Sequence, residues 1–113
     1  MKKLEAIIRP EKFQELRDEL YAIGIGGMTV TEAAGVGKQK GQVGMFRGHT
    51  FEIQLHPKLK LDLVLEDEKV DEVVRTIIKV CGTDSIGDGK IFILPVEDAV
   101  RIRTGEQGTA AIL

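Results

Sequence analysis

Twice in this chain an alternation of period two gives way within a few residues to an apolar stripe of helical spacing, and this double switch is the strongest constraint on the fold. In the second instance Leu59, Leu61, Leu63 and Leu65 alternate with Lys60, Asp62 and Val64, the pattern of a strand with one buried face. Val70, Val73, Val74, Ile77, Ile78 and Cys81 then recur at helical spacing, with Asp67 in position as an N-cap. In the first instance Leu4, Ala6 and Ile8 alternate with Lys3, Glu5 and Ile7. Pro10 suits a first helical turn, and Phe13, Leu16, Leu20 and Ile23 form the stripe, stopped by Gly24, Gly26 and Gly27. Each pair leads into a further strand. One spans 28–34, with Thr29, Thr31 and Ala33 on one face and Met28, Val30 and Glu32 on the other. The other is the apolar run Ile91, Phe92, Ile93 and Leu94, closed by Pro95.

The order is therefore β-α-β-loop-β-α-β, an α+β chain of ferredoxin-like βαββαβ topology with both helices on one sheet face. A length of 113 residues fits one domain over 1–113. The opposite sheet face, with Thr, Val, Leu or Ile at several positions, would be exposed in a monomer, so homo-oligomerisation is expected. Over residues 36–56 the pattern is lost until the far end. Glycines punctuate Lys38, Gln39, Lys40, Gln42, Arg47 and Thr50 there, and loops beyond about 15 residues are usually functional or disordered. Phe51, Ile53 and Leu55 alternate at its far end. A tail over 97–113 carries Val100-Arg101-Ile102-Arg103, which in an extended segment would aim both arginines the same way.

Composition removes several function classes. With 42% hydrophobic and 30% charged residues the chain reads as globular, and a net charge of -2 provides no global basic field for nucleic acid. No apolar run reaches the roughly 18 residues of a membrane span, and Arg9 and Pro10 interrupt the N-terminal run before it could serve as a signal peptide, so a cytoplasmic location is expected. The single Cys81 lies on the helical stripe as a small buried hydrophobe, His49 and His56 are isolated, and no Cys/His spacing suggests zinc. The single Tyr21 has an expected packing role on the first helix.

Three groups could build one anion site. Gly87-Asp88-Gly89-Lys90 follows the second helix, where glycines permit a tight turn, successive N–H groups can form an anion nest and Lys90 adds a point charge. Arg101 and Arg103 offer guanidinium forks, and Gly37-Lys38-Gln39-Lys40-Gly41 stands at the mouth of the long loop. Together they suit a polyphosphate. The plain alternatives are a glycine turn and a solvated edge-strand face. No Ser/His/Asp set, nucleophile elbow or Walker pattern is present, so binding is expected rather than catalysis. The segment Gly41-Gln42-Val43-Gly44-Met45-Phe46-Arg47 is loosely similar to an acylphosphatase phosphate loop. It follows the wrong strand, however, and the chain has no Asn to position water.

The chain resembles the PII nitrogen-regulatory signal proteins over almost its entire length. The resemblance is carried by Arg9-Pro10, Gly27-Met28-Thr29-Val30-Thr31-Glu32, Gly37-Lys38-Gln39-Lys40-Gly41, Pro57-Lys58 with Leu59-Lys60-Leu61, the segment 83–92, and Arg101-Ile102-Arg103-Thr104-Gly105-Glu106. It implies a cytoplasmic homotrimer that binds ATP or ADP between subunits and senses 2-oxoglutarate. By that resemblance Gly87, Asp88, Gly89 and Lys90 would hold phosphates, joined by Arg101 and Arg103 from a neighbouring subunit. Thr29, Gly35, Val64 and Ile86 would line the adenosine. Gly37 and Lys38 would lie against the nucleotide as well, Lys38 standing where many relatives have Arg. Gln39 would ligate Mg²⁺ with ATP and 2-oxoglutarate. Lys58 would pair with the distal carboxylate of 2-oxoglutarate, and the backbone of Gly37, Lys38, Gln39, Lys40 and Gly41 would hold its other end. The loop would act on an ammonium transporter, entering its pore through Arg47, or on a nitrogen-metabolism enzyme or regulator. Membrane association would come only through the transporter.

The loop tip departs from that pattern. Phe51 stands at the position of the usual modified tyrosine and has no hydroxyl to accept a nucleotidyl group, and His49 lacks the seryl hydroxyl that some relatives phosphorylate. Incubation with a uridylyl- or adenylyltransferase and labelled nucleotide is expected to leave the chain unlabelled. Label incorporated in the loop would overturn this reading of Phe51.

Overall fold

The structure, a computed structural model, describes residues 1–36 and 54–113. Strand β1 (Lys2–Ile8) leads through a 3-10 turn (Pro10–Lys12) into helix α1 (Phe13–Ala22). Strands β2 (Thr29–Gly35) and β3 (His56–Leu65) follow, then helix α2 (Asp67–Cys81), strand β4 (Lys90–Pro95) and a short 3-10 turn (Gly108–Ala111). The sheet order is β2-β3-β1-β4 with every neighbouring pair antiparallel, which is the ferredoxin-like arrangement.

Side-chain alternation assigns the two faces. Leu4, Ala6 and Ile8 of β1 and Leu61, Leu63 and Leu65 of β3 point toward the helices, where they meet Leu16 and Leu20 of α1 and Val73, Ile77 and Val80 of α2 in one buried cluster. Cys81 is buried in the same cluster, and desolvation pushes its thiol up to about 11, so it is a core residue rather than a nucleophile. Gly24 ends α1 at φ +90°, donating to Tyr21 O at 3.0 Å, while Ile25 N reaches back to Leu20 O at 2.9 Å.

Three expectations need correction. Asp67 is the first helical residue, not the cap. Glu66 occupies the N-cap without a side-chain hydrogen bond, and Asp67 instead faces the Met1 ammonium at 3.1 Å. Ile78 leaves the stripe and is exposed, because the helix turns Val80 into the core in its place. Tyr21 is 76% exposed, so it does not pack. The open sheet face carries a charged centre among its Thr and apolar positions. Glu5 lies directly across from Asp62, and Lys3 approaches both, at 3.2 Å to Glu5 and 3.6 Å to Asp62, while Lys60 lies 3.8 Å from Glu5. Opposed carboxylates repel, and the flanking lysines offset that repulsion. The hydrogen bond with Glu5, and then Asp62, holds the Lys3 ammonium above its ordinary pKa. Apolar side chains flank this centre, with Phe92 beside Glu5 and Leu94 beside Lys3.

Leu61 of β3 has no exposed surface and belongs to the core cluster between the sheet and the helices. Leu61→Ala is expected to lower the unfolding free energy by about 2–5 kcal/mol in chemical denaturation. Tyr21→Ala should stay within about 0.5 kcal/mol. A Tyr21 effect as large as that of Leu61 would contradict the packing described.

Candidate functional site

The segment 82–90 between α2 and β4 is built around the Asp88 carboxylate. It accepts from Thr83 N at 2.7 Å and Ser85 N at 3.3 Å, from the Thr83 hydroxyl through a short contact, and from Arg9 Nε at 3.4 Å. Arg9 also donates through Nη2 to Ile86 O at 3.0 Å. These bonds to the charged form hold the carboxyl well below the usual carboxylate range, the Thr83 hydroxyl being the largest cause. The sign follows. The bonds are complete above the ordinary aspartate value of about 4 and are lost as pH falls through the lowered native value.

The chain closes on this acid through left-handed backbone at Asp84 (φ 60°), Gly87 (φ 104°) and Gly89 (φ 106°). Gly89 is constrained twice, because a Cβ there would lie 1.7 Å from Ile7 O. The loop therefore rests against the end of β1, where Ile7 pairs with Lys90.

Beside the loop lies a cleft of about 650 Å³, lined by Ile7, Gly35, Val36, His56, Lys58, Ile86, Gly87, Gly89, Lys90 and Phe92. Lys58 is the one buried charged residue among those described. It comes from the start of β3 and donates from Nζ to Gly87 O at 2.7 Å. Desolvation pushes its ammonium below the ordinary value, and Arg9 adds to this, against the opposite pull of Glu11 and Asp88. A desolvated cation beside further cations favours an arriving anion.

Six residues expected from the sequence meet in this cleft: Gly35, Lys58, Ile86, Gly87, Gly89 and Lys90. Asp88 underlies it as the organiser of the loop. Thr29, Val64, Arg101 and Arg103 are elsewhere. Val64 is six residues along β3 from Lys58, about 20 Å at strand spacing, and Thr29 pairs with Asp62 near the same end. The tail leaves β4 at that end, beyond the Lys2–Pro95 pair, and Ile112 and Leu113 share a cavity with Val64. Val100, Arg101, Ile102 and Arg103 do not form the extended segment expected. Val100 pairs with Gln107, and the chain turns between them. Arg101 N donates to Glu106 O at 2.8 Å, and Arg103 is exposed. Gly37, Lys38, Gln39, Lys40, Gly41, Arg47 and Phe51, and the acylphosphatase-like segment, lie outside the described residues.

Sequence reasoning missed Ile7, His56 and Phe92 as lining, and Arg9 and Thr83 as supports of the loop. Ile7 carried a signal, as an isoleucine on the face otherwise occupied by Lys3 and Glu5. Arg9 is joined to Asp88 only by the fold, since 79 positions separate them.

Comparison with known proteins bears on this arrangement. The family model described as nitrogen regulatory protein P-II matches residues 1–106. The chain belongs to the P-II family. Among its relatives, the nitrogen regulatory protein P-II of Microchaete diplosiphon is 54% identical over 99% of this chain and all of its own length. Nitrogen regulatory protein P-II 2 of Methanothermobacter thermautotrophicus is 53% identical over 99% of this chain and 97% of its own. The crystal structure of Arabidopsis thaliana PII bound to citrate superposes with a TM-score of 0.79 at 37% identity, covering 98% of this chain and 88% of that one. The P-II family is one of regulatory signal proteins, and the cleft and its loop belong to that fold. No described helix is long and apolar enough to cross a membrane.

Gly89 and Gly105 separate backbone strain from collision. Gly105→Ala, at φ +74° with open space around it, is expected to cost about 1–2 kcal/mol. Gly89→Ala should cost clearly more, because the added carbon meets Ile7 O. Equal losses in chemical denaturation would show that the loop moves off β1 freely.

Proposed function

We propose that this P-II family protein reports nitrogen, carbon and energy status by binding ATP or ADP and 2-oxoglutarate in composite clefts of a homotrimer, and that it acts on a protein partner through residues 36–56. The observation that carries the reading is the division of the expected nucleotide set. Gly35, Ile86, Gly87, Gly89 and Lys90 lie at one end of the sheet, Thr29 and Val64 lie about 20 Å along it, and the tail that carries Arg101 and Arg103 packs toward Val64. One protomer cannot wrap a nucleotide with both. Two protomers packed through their open sheet faces bring the near set of one against the far set of the next.

In that cleft the N–H groups of the glycine turn and Lys90 take phosphate oxygens, and Arg101 and Arg103 complete the cage from the neighbour. Asp88 contributes by fixing the turn, since its carboxylate is already bonded to Thr83, Ser85 and Arg9. Lys58 takes a carboxylate of 2-oxoglutarate, consistent in chemistry with the citrate bound by the Arabidopsis relative. Because Lys58 also holds Gly87 O, that step alters the support of the phosphate turn and couples the two ligands.

Mg²⁺ fits this site only as a companion of the ligands. No group of three His, Cys, Asp or Glu among the described residues could hold a metal. The ion would take Gln39 and otherwise oxygens of phosphate and carboxylate, as Mg²⁺ commonly does. Bound there it would bridge and neutralise those oxygens. ADP lacks the γ-phosphate and would favour other loop conformations, so the ratio of ligands sets the population offered to the partner. A regulator of this kind needs no catalytic group.

Titration calorimetry with ATP, then with 2-oxoglutarate in the presence of ATP and Mg²⁺, tests the reading. Both ligands should bind, the second only after the first. Lys90→Ala or Arg103→Ala should weaken ATP at least tenfold, the loss of about 1.4 kcal/mol expected for one charge-assisted phosphate contact. ATP binding without any 2-oxoglutarate response would reduce the protein to an adenine-nucleotide sensor. Unchanged ATP affinity in both variants would remove the phosphate assignment.

A further inference from the structure

Arg101 is already occupied. Its Nη1 donates to Glu106 Oε1 at 2.6 Å, and its Nη2 donates to Ala110 O at 3.0 Å and Leu113 O at 2.7 Å. Arg101 N and O close the same turn, to Glu106 O at 2.8 Å and from Gly105 N at 2.7 Å. The Thr104 hydroxyl holds Glu106 Oε1 at 2.9 Å and so fixes the acid.

A guanidinium grips an oxyanion bidentately along one of two edges, side-on through Nε and Nη2 or end-on through Nη1 and Nη2. Both edges use Nη2. With Nη2 committed to two carbonyls of the last residues, neither fork is open to a phosphate. Ile112 and Leu113 moreover lie in the cavity that includes Val64, so the tail covers this half of the nucleotide site.

We infer that the segment 106–113 is an internal competitor of the polyphosphate for Arg101, and that Glu106 thereby sets how tightly the site takes its nucleotide. The inference rests on the reading of Arg101 as a phosphate ligand. Arg103, exposed and without a hydrogen bond or ion pair among the described residues, is available to a first phosphate contact. Arg101 joins when the tail lets go. The latch is weak enough to yield, because the Arg101 and Glu106 side chains are 29% and 45% exposed and such pairs are screened by solvent. Linkage makes the effect reciprocal, so a nucleotide that gains Arg101 must release the tail.

Hydrogen exchange on the intact protein reads the tail directly. Saturating ATP should speed exchange at the Gly108 and Ile112 amides, which donate to Ala99 O and Thr109 O without ligand. Calorimetry on Glu106→Gln, and on a chain ending after Gly108, should show ATP tightened at least about fivefold, the lower end of ordinary coupling, while adenosine is unchanged in Glu106→Gln, which keeps the residues beside Val64. Glu106→Gln keeps the whole tail and so guards against a truncated chain that folds poorly. Tail exchange indifferent to ATP, or ATP affinity unchanged or weakened in both variants, would overturn the inference and leave the nucleotide reading intact. Absence of ATP binding to the intact protein would overturn the nucleotide reading itself.

Discussion

The placement of β1 between β3 and β4 is the constraint on which the rest of this structure depends. Its helix-side residues Leu4, Ala6 and Ile8 are buried, so its register with both neighbours is fixed by the core. Its end then serves the site. Ile7 O meets the backbone of Gly89, Ile7 lines the cleft, and Arg9, just beyond the strand, reaches the Asp88 carboxylate. Core packing and ligand geometry are thus two readouts of one strand position.

The loop it supports has an economy of charge. Asp88 and Arg9 neutralise each other while ordering the turn, which leaves Lys90 and the glycine N–H groups to face an anion. Lys58, desolvated and bonded to Gly87 O, stands between this turn and Gly35 at the end of β2. In the proposed reading the same ammonium belongs mechanically to the turn and chemically to a carboxylate ligand. Such double membership is how a small rigid domain can make two ligands interdependent without a hinge.

Much of the fold was legible because each element announces itself locally. The alternation of Leu59, Leu61, Leu63 and Leu65 and the stripes of both helices are short-range patterns, and patterns of this kind mark the four strands and two α-helices of the described residues. What failed had nonlocal or subtle causes. Ile78 and Val80 are separated by a rotation of the helix that spacing cannot resolve. The extended reading of Val100 to Arg103 gave way to a turn closed by Glu106, an interaction between side chain and backbone rather than a pattern of hydrophobicity. In the site, glycines and charges drew attention to the right loop, but the partners of Asp88 and Lys58 come from distant positions and appear only when the sheet is assembled. The charged centre of the open face was visible as Lys3, Glu5, Lys60 and Asp62. That Glu5 and Asp62 face each other depends on register, which alternation along one strand does not carry.

The separation of the two halves of the cleft along one sheet has a genetic meaning. In the proposed trimer no site belongs to a single polypeptide, so damage to the glycine turn and damage to the tail arginines need not fall on the same site. A subunit defective only at Lys90 and one defective only at Arg103 could, when mixed, rebuild an intact cleft where the sound ends meet. Within one assembly the two defects would complement each other, and a lone altered copy in an otherwise normal cell would silence only some of the sites it joins.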